Sequence, residues 1–383
     1  MNKRSRAIFL SAILFRILIY AVSVFLMGIT GTYENPLTMN DFLAAWTRWD
    51  GYAYLRIAEG GYAGNLFDGQ FLDMVFYPLY PWLIRLVAVV VRNYQLSGLL
   101  ISTVCYGLGC VFFDKLLTEE YGEAVSENSL ILLSAFPFAF FFGAIMTESL
   151  FFFLLAMFLY FLRKHAWWRC AIVGFFLCMT KVQGMLLTLA VIAELFYGCH
   201  GFRLLKERKW NRFWKDVILN GLKCVPMVGG ILVYLYMNYL ITGNAFMFME
   251  YQKTNWHNGL YPIWKTISYV FDYVKGGWYT STGMSLWVPE FLLFFVYIIV
   301  IVYSIYKKMR PMYLTYFIAF FILTYSSSWL ISGGRYTLSA LPLFMAGGIF
   351  VTEHPRWKMP VGVLSYSLMM VYLAGYYLGK QIM

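Results

Sequence analysis

Long apolar runs recur along this chain, and they leave it very few folds. Phe291–Tyr306 reads FLLFFVYIIVIVYSIY, and 7–29 is nearly as apolar. A helix crosses a bilayer core with roughly 20 such residues. Backbone groups in lipid must pair internally, so only helices or a closed barrel can cross. The runs lack the alternation of barrel strands. With 61% of residues hydrophobic and 13% charged, a soluble core of this size is excluded. The expectation is an all-α, polytopic transmembrane helical bundle of about 10–11 spans, with short interfacial helices in the first external loop.

The candidate spans are 7–29, 96–113, 129–146, 147–162, 170–181, 183–199, 217–240, 284–306, 312–330, 336–352 and 359–378. The runs 170–181 and 183–199 are short and flank Lys181. The first run follows a basic Asn2–Arg6 and is too long for a signal peptide, so it reads as a retained anchor. Arg16 within it should snorkel or face other helices. The basic stretches Arg163–Arg169, Phe202–Lys215, Lys307–Arg310 and His354–Lys358 are placed in the cytoplasm, with the N-terminus. The net charge of +11 is then a topology signal, and its division among short loops argues against nucleic-acid binding. The segment Met74–Val91 carries Pro78, Pro81 and Arg85, and is read as a helix along the outer interface. The expected setting is the plasma membrane of a bacterium. Residues 1–383 form one membrane domain, with external loops at 31–73, 243–282 and Ser332–Arg335. The six cysteines lie mainly in apolar runs without a CxxC pair and read as buried free thiols.

The external loops are rich in Trp, Tyr, Gly and Asn, as an interfacial aromatic belt would be. That belt does not account for Asp50, Lys253 or Arg335. Asp50 lies in WTRWDGYAYLRIAEGGY, residues 46–62. If Trp46–Ala58 were one helix, Trp46, Trp49 and Ala53 would share a face, with Asp50 and Tyr54 on the next. A carboxylate so placed suits general-base work on a hydroxyl. The competing reading is an ion pair with Arg48 or Arg56. Lys181 interrupts an apolar stretch, which makes it a functional candidate. Arg335 follows Gly333–Gly334 and precedes a helix, a position that favours an anion. Glu148 either caps the following helix beside Thr147 or orients a substrate. Gln252 and Trp256 could bind a sugar ring. Lys253 and His257 are read as exposed loop residues, and Asp73 as a solvated loop acid.

The string RWDGYAYLRIAEGGY, followed by VFYPLYPWLIRL, resembles the signature of the PIG-V family of mannosyltransferases, in the GT-C class of membrane glycosyltransferases. Three blocks extend the resemblance in order: AFPFAFFFGAIMTESLFFF at 135–153, NAFMFMEYQKTNW at 244–256 and GRYTLSALPLF at 334–344. Two positions depart from the family. Met146–Thr147 stand where it often has Tyr-Ser, and Lys181 stands where it tends to have arginine. The resemblance implies that Trp49 and Asp50 are the family's functional pair and that the donor is a polyprenyl-phosphate-linked sugar. The acceptor is then a glycan, lipid or protein hydroxyl. Asp50 is the expected catalytic base. Trp49, Tyr54, Glu148, Lys181, Gln252, Trp256, Arg335 and Tyr336 are the expected substrate-binding residues. No DxD pair occurs, so no cofactor and no obligatory metal are expected. A transporter or flippase of a phosphate-bearing lipid-linked sugar is the alternative, although no internal repeat is visible.

Overall fold

The computed structural model describes residues 2–30 and 37–382. The first residues of the 31–73 loop therefore lie outside the described residues. The described chain is helical throughout, and its only β pairings are two isolated bridges. Among the described residues, five helices are long and apolar enough to cross a bilayer: Lys3–Thr30, Tyr94–Tyr121, Trp210–Thr242, Gly283–Tyr306 and Pro355–Tyr377. A pair bent by 76°, Gly333–Ser339 with Leu341–Glu353, makes a sixth if counted as one span. Shorter apolar helices fill the rest, including Trp167–Cys178, Val182–Tyr197 and Pro311–Tyr325. The first helix exposes Leu10, Leu14, Ile17, Leu18 and Phe25 on its outer side, which lipid solvates and water would not.

Two ends of the bundle differ in chemistry. At one end the basic residues are paired: Arg4 with Asp114, Arg163 with Glu120, Lys164 with Glu119, Lys307 with Glu353, and Arg310 with Glu194. The candidate site lies at the opposite end. Helix Tyr94–Tyr121 connects the two, because its Gln95 donates to Thr47 at the site end while Asp114 meets Arg4 at the other. It packs closely on helix Glu148–Arg163, where a Cβ on Gly109 would lie 2.5 Å from the Phe152 ring. Helix Leu79–Val91 has 13 residues, about 20 Å, against a hydrocarbon thickness of roughly 30 Å. Both its ends lie at the site end. Leu79 N donates to Met179 O, and the chain enters the next helix beside Gln95.

One expected span is corrected. Residues 129–146 are not one helix: the helix Glu123–Ala135 ends, and a 3-10 turn at Ala139–Gly143 precedes helix Glu148–Arg163. Pro137 explains the break, since it removes a donor and bars helical geometry from Phe136. The irregular segment is buried, so its free carbonyls need partners. Arg16 Nη1 donates to Ala139 O, Tyr20 to Gly143 O, Ser102 to Ala144 O and Ser149 to Phe142 O. Arg16 is therefore no snorkelling residue. It is fully buried, with its guanidinium 4.4 Å from the Tyr106 ring centroid. Arg16→Leu leaves Ala139 O unpaired, and a stability loss of about 1–3 kcal/mol is expected from thermal unfolding in detergent.

Candidate active site

The segment around Asp50 folds as two short helices, which corrects the single helix expected over Trp46–Ala58. Met39–Ala45 begins with a capping box between Thr38 and Asp41 and ends at Trp46. Asp50–Gly60 follows, after Trp49 with φ 43° and ψ −113°. A tryptophan rarely adopts that backbone conformation, and it persists here because the ring is held on both sides. Trp49 packs at 5.2 Å from the Tyr376 ring and 6.3 Å from Phe141. Trp46, by contrast, is fully buried in the core. The turn sets Asp50 at the first position of its helix, where the helix dipole favours a negative charge.

Asp50 does not pair with Arg48 or Arg56. Its Oδ2 accepts from Arg335 Nη1 at 2.7 Å. Arg335 Nε lies 3.5 Å from Glu148 Oε1, and Lys181 Nζ donates to that same oxygen at 2.8 Å. The result is a chain of alternating charges, Asp50–Arg335–Glu148–Lys181, with two carboxylates and two cations. Glu148 is 2% exposed, and its Oε2 has no hydrogen-bond partner among the described residues. Glu148 does begin its helix, but Thr147 makes no side-chain cap there, so the carboxylate serves the cations. Met146 Sδ also lies 3.2 Å from Arg335 Nη1.

These groups face one cleft of about 200 Å³. Asp50, Tyr54, Glu148, Lys181, Gln252, Trp256, Arg335 and Tyr336 all line it. Burial, reinforced by the Asp50 and Glu148 carboxylates, holds the Tyr54 phenol well above its usual range, so Tyr54 is a neutral donor beside Thr147. Trp49 lies outside this cleft and lines an adjoining one. Lys253 and His257 are exposed and line neither cleft. Asp73 is corrected: it is 1% exposed and bonds Arg56 at 2.7 Å.

Sequence reasoning missed Glu290. It is buried, and its Oε1 accepts from the Gly333 backbone N–H, two residues before Arg335. An acid inside the apolar run 284–306 was the available signal. A Cβ on Gly333 would lie 2.0 Å from Glu290 Oε2, and one on Gly334 would lie 2.6 Å from the Phe138 ring. Gly333→Ala therefore forces Glu290 and the Arg335 turn apart. The expected loss is about 1–3 kcal/mol of stability, read from thermal unfolding of the purified protein in detergent.

Among the described residues no group of three or more His, Cys, Asp or Glu could hold a metal ion. What the cleft offers is two carboxylates, the part-exposed Asp50 and the buried Glu148, beside a guanidinium and an ammonium. Such a set can take a proton from a neutral group and hold an anion within a few ångströms of it.

No protein-family model matches the chain and no curated protein matches it, so neither supports the motif resemblance to the PIG-V mannosyltransferases. Among solved structures, the chain is similar to ArnT from Cupriavidus metallidurans in the apo state, at 14% identity and a TM-score of 0.49. That match covers 96% of this chain and 75% of ArnT. It is also similar to the oligosaccharyltransferase of Archaeoglobus fulgidus, solved with zinc and sulfate, at 12% identity and a TM-score of 0.49. Here 94% of this chain matches 53% of the other, so this chain spans about half that protein's length.

Proposed function

We propose that the protein is a membrane glycosyltransferase of the GT-C type, transferring a hexosyl group from a polyprenyl phosphate to an acceptor hydroxyl. The carrying observation is the 2.7 Å contact of Asp50 with Arg335 in a cleft that also holds Glu148 and Lys181. Mannose as the sugar rests on the motif resemblance alone. The basic end of the bundle is cytoplasmic by the positive-inside bias, which puts the cleft at the outer face. Val182, exposed at the cleft beside Lys181, offers an apolar lip for the lipid chain.

In this reading the acceptor oxygen attacks the anomeric carbon as the bond from that carbon to the phosphate oxygen breaks. The bonding electrons leave with the phosphate, and the hydroxyl proton passes to Asp50 Oδ1, the oxygen that Arg335 leaves over. A single displacement inverts the anomeric configuration. The electrostatics are consistent with this course. The donor phosphate carries about one negative charge and the departing monoester close to two, while Asp50 goes from one to none. The charge facing Arg335 and Lys181 therefore shifts in position without growing in total. Arg335 keeps Nη2, which neither Asp50 nor Glu148 engages, to donate to a phosphate oxygen, and Lys181 acts as a point charge.

The leaving group is a monoester stabilised by fixed cations, so a divalent ion is not needed. Dialysis against EDTA is expected to change transfer from a labelled polyprenyl-phosphate sugar less than twofold. A tenfold loss restored by added magnesium or manganese overturns that step. The reading itself is tested by mass spectrometry of lipid and glycan products from the purified protein in nanodiscs supplied with the donor. Movement of intact donor across a vesicle membrane with no new glycoside would refute it.

A further inference from the structure

A second cleft, of about 330 Å³, adjoins the first. Asp50, Phe76 and Trp256 line both cavities, so the carboxylate stands at their junction. The walls found only in the second are different in kind. Arg56 and Asp73 form a bidentate pair, Nη2 to Oδ1 at 2.7 Å and Nε to Oδ2 at 3.4 Å. The Arg56 guanidinium lies 5.1 Å from the Phe67 ring centroid. Trp49 and Phe67 add aromatic surface there to that of the shared Phe76 and Trp256.

We infer that this second cleft is the acceptor subsite and that it takes a neutral pyranose, the terminal sugar of a glycan acceptor. The inference rests on the transferase reading given above and extends it to the acceptor. Three observations carry it. First, among the described residues Arg56 is the single cation lining this cleft and gives both Nε and Nη2 to Asp73, whereas two cations, Arg335 and Lys181, line the first. Second, a guanidinium edge next to a carboxylate presents donors and acceptors side by side, the pattern that neighbouring sugar hydroxyls match. Aromatic faces meanwhile cover the apolar C–H faces of the ring, as in small-molecule sites lined by apolar walls with a few placed polar groups. Third, inversion requires the attacking oxygen to approach from the side opposite the leaving group. Two cavities meeting at one carboxylate provide those two sides.

The pairing of Arg56 with Asp73 also has a structural use, since it ties the loop after residue 61 to its helix. A merely structural pair would not discriminate between ligands, and that separates the two roles. The purified full chain in nanodiscs is examined by saturation-transfer NMR with methyl α-D-mannopyranoside, glucopyranoside and galactopyranoside, and in parallel with farnesyl phosphate. At least one methyl glycoside is expected to receive saturation from the wild-type protein. Arg56→Gln and Phe67→Ala are each expected to reduce that signal at least fivefold, with farnesyl phosphate affinity changed less than twofold. Phe67 is an exposed loop ring, so its removal tests the cleft without disturbing the buried Asp73. The inference is overturned if no methyl glycoside binds, or if both variants bind it as the wild type does. Binding of a serine- and threonine-rich peptide with none of the glycosides also overturns it, in favour of a protein hydroxyl as acceptor. If the glycoside binds in this cleft while farnesyl phosphate does not bind the wild type at all, the donor assignment fails and the sugar subsite stands.

Discussion

Asp50→Asn is expected to lower kcat about 10³-fold while leaving the KM for the lipid donor within about threefold. Asparagine keeps the shape of the side chain and a carbonyl oxygen able to accept from Arg335 Nη1, now at 2.7 Å from Oδ2. The substitution therefore preserves the contact that positions Arg335 and removes the capacity to take a proton. A carboxylate whose only task were to hold the guanidinium would lose little by this change. Asp50 is also 24% exposed at its side chain, so losing its charge costs less stability than removing the buried Arg335 does. The measurement is turnover of labelled polyprenyl-phosphate sugar by protein that elutes as a single folded species. Turnover near the wild-type value would exclude Asp50 as the base.

What could be read in the sequence, and what could not, follows from the cost of charge in lipid. Glu148 and Lys181 stood out because each interrupts or abuts an apolar run, where an ionised side chain is expensive without a partner, and Asp50 and Arg335 because an interfacial aromatic belt does not account for them. The structure brings all four into one cleft, although they lie as far apart as 285 positions in the chain. Their pairing was not legible, because sequence spacing carries no information about which distant loops meet. Arg56 and Asp73 show this most clearly. Both sit in a loop rich in polar residues, where a solvated acid is the ordinary expectation, yet the Asp73 carboxylate is buried against Arg56. The helical bundle was legible from composition, but the break at 136–147 was not, since a phenylalanine-rich stretch looks like any other apolar span. Only Pro137 marked it, and the hydroxyls and guanidinium that make the break tolerable come from helices elsewhere in the chain. Glu290 was overlooked for a related reason. It stands at the start of its apolar run, where an acid passes for a helix-terminal charge, and its partner is a backbone N–H that no side-chain pattern reveals.

Arg335→Met should abolish detectable transfer and also lower stability, and a second substitution separates these effects. Arg335 is 7% exposed at its side chain and stands between Asp50 and Glu148. Its removal leaves Glu148, at 1% side-chain exposure, with Lys181 as its only close cation among the described residues. The cluster then holds two carboxylates against one cation, and breaking a buried pair in this way costs about 3–5 kcal/mol. Adding Glu148→Gln restores the balance, with Asp50 against Lys181 and a neutral amide between them. The double variant is expected to regain most of the lost melting temperature. It should regain none of the activity, because the departing phosphate still lacks the donor that Arg335 would present to it. Thermal unfolding and transfer are measured on both variants in the same detergent. Recovery of transfer along with stability would mean that Arg335 serves only to balance the two acids, and the phosphate would then have to be held by Lys181 alone.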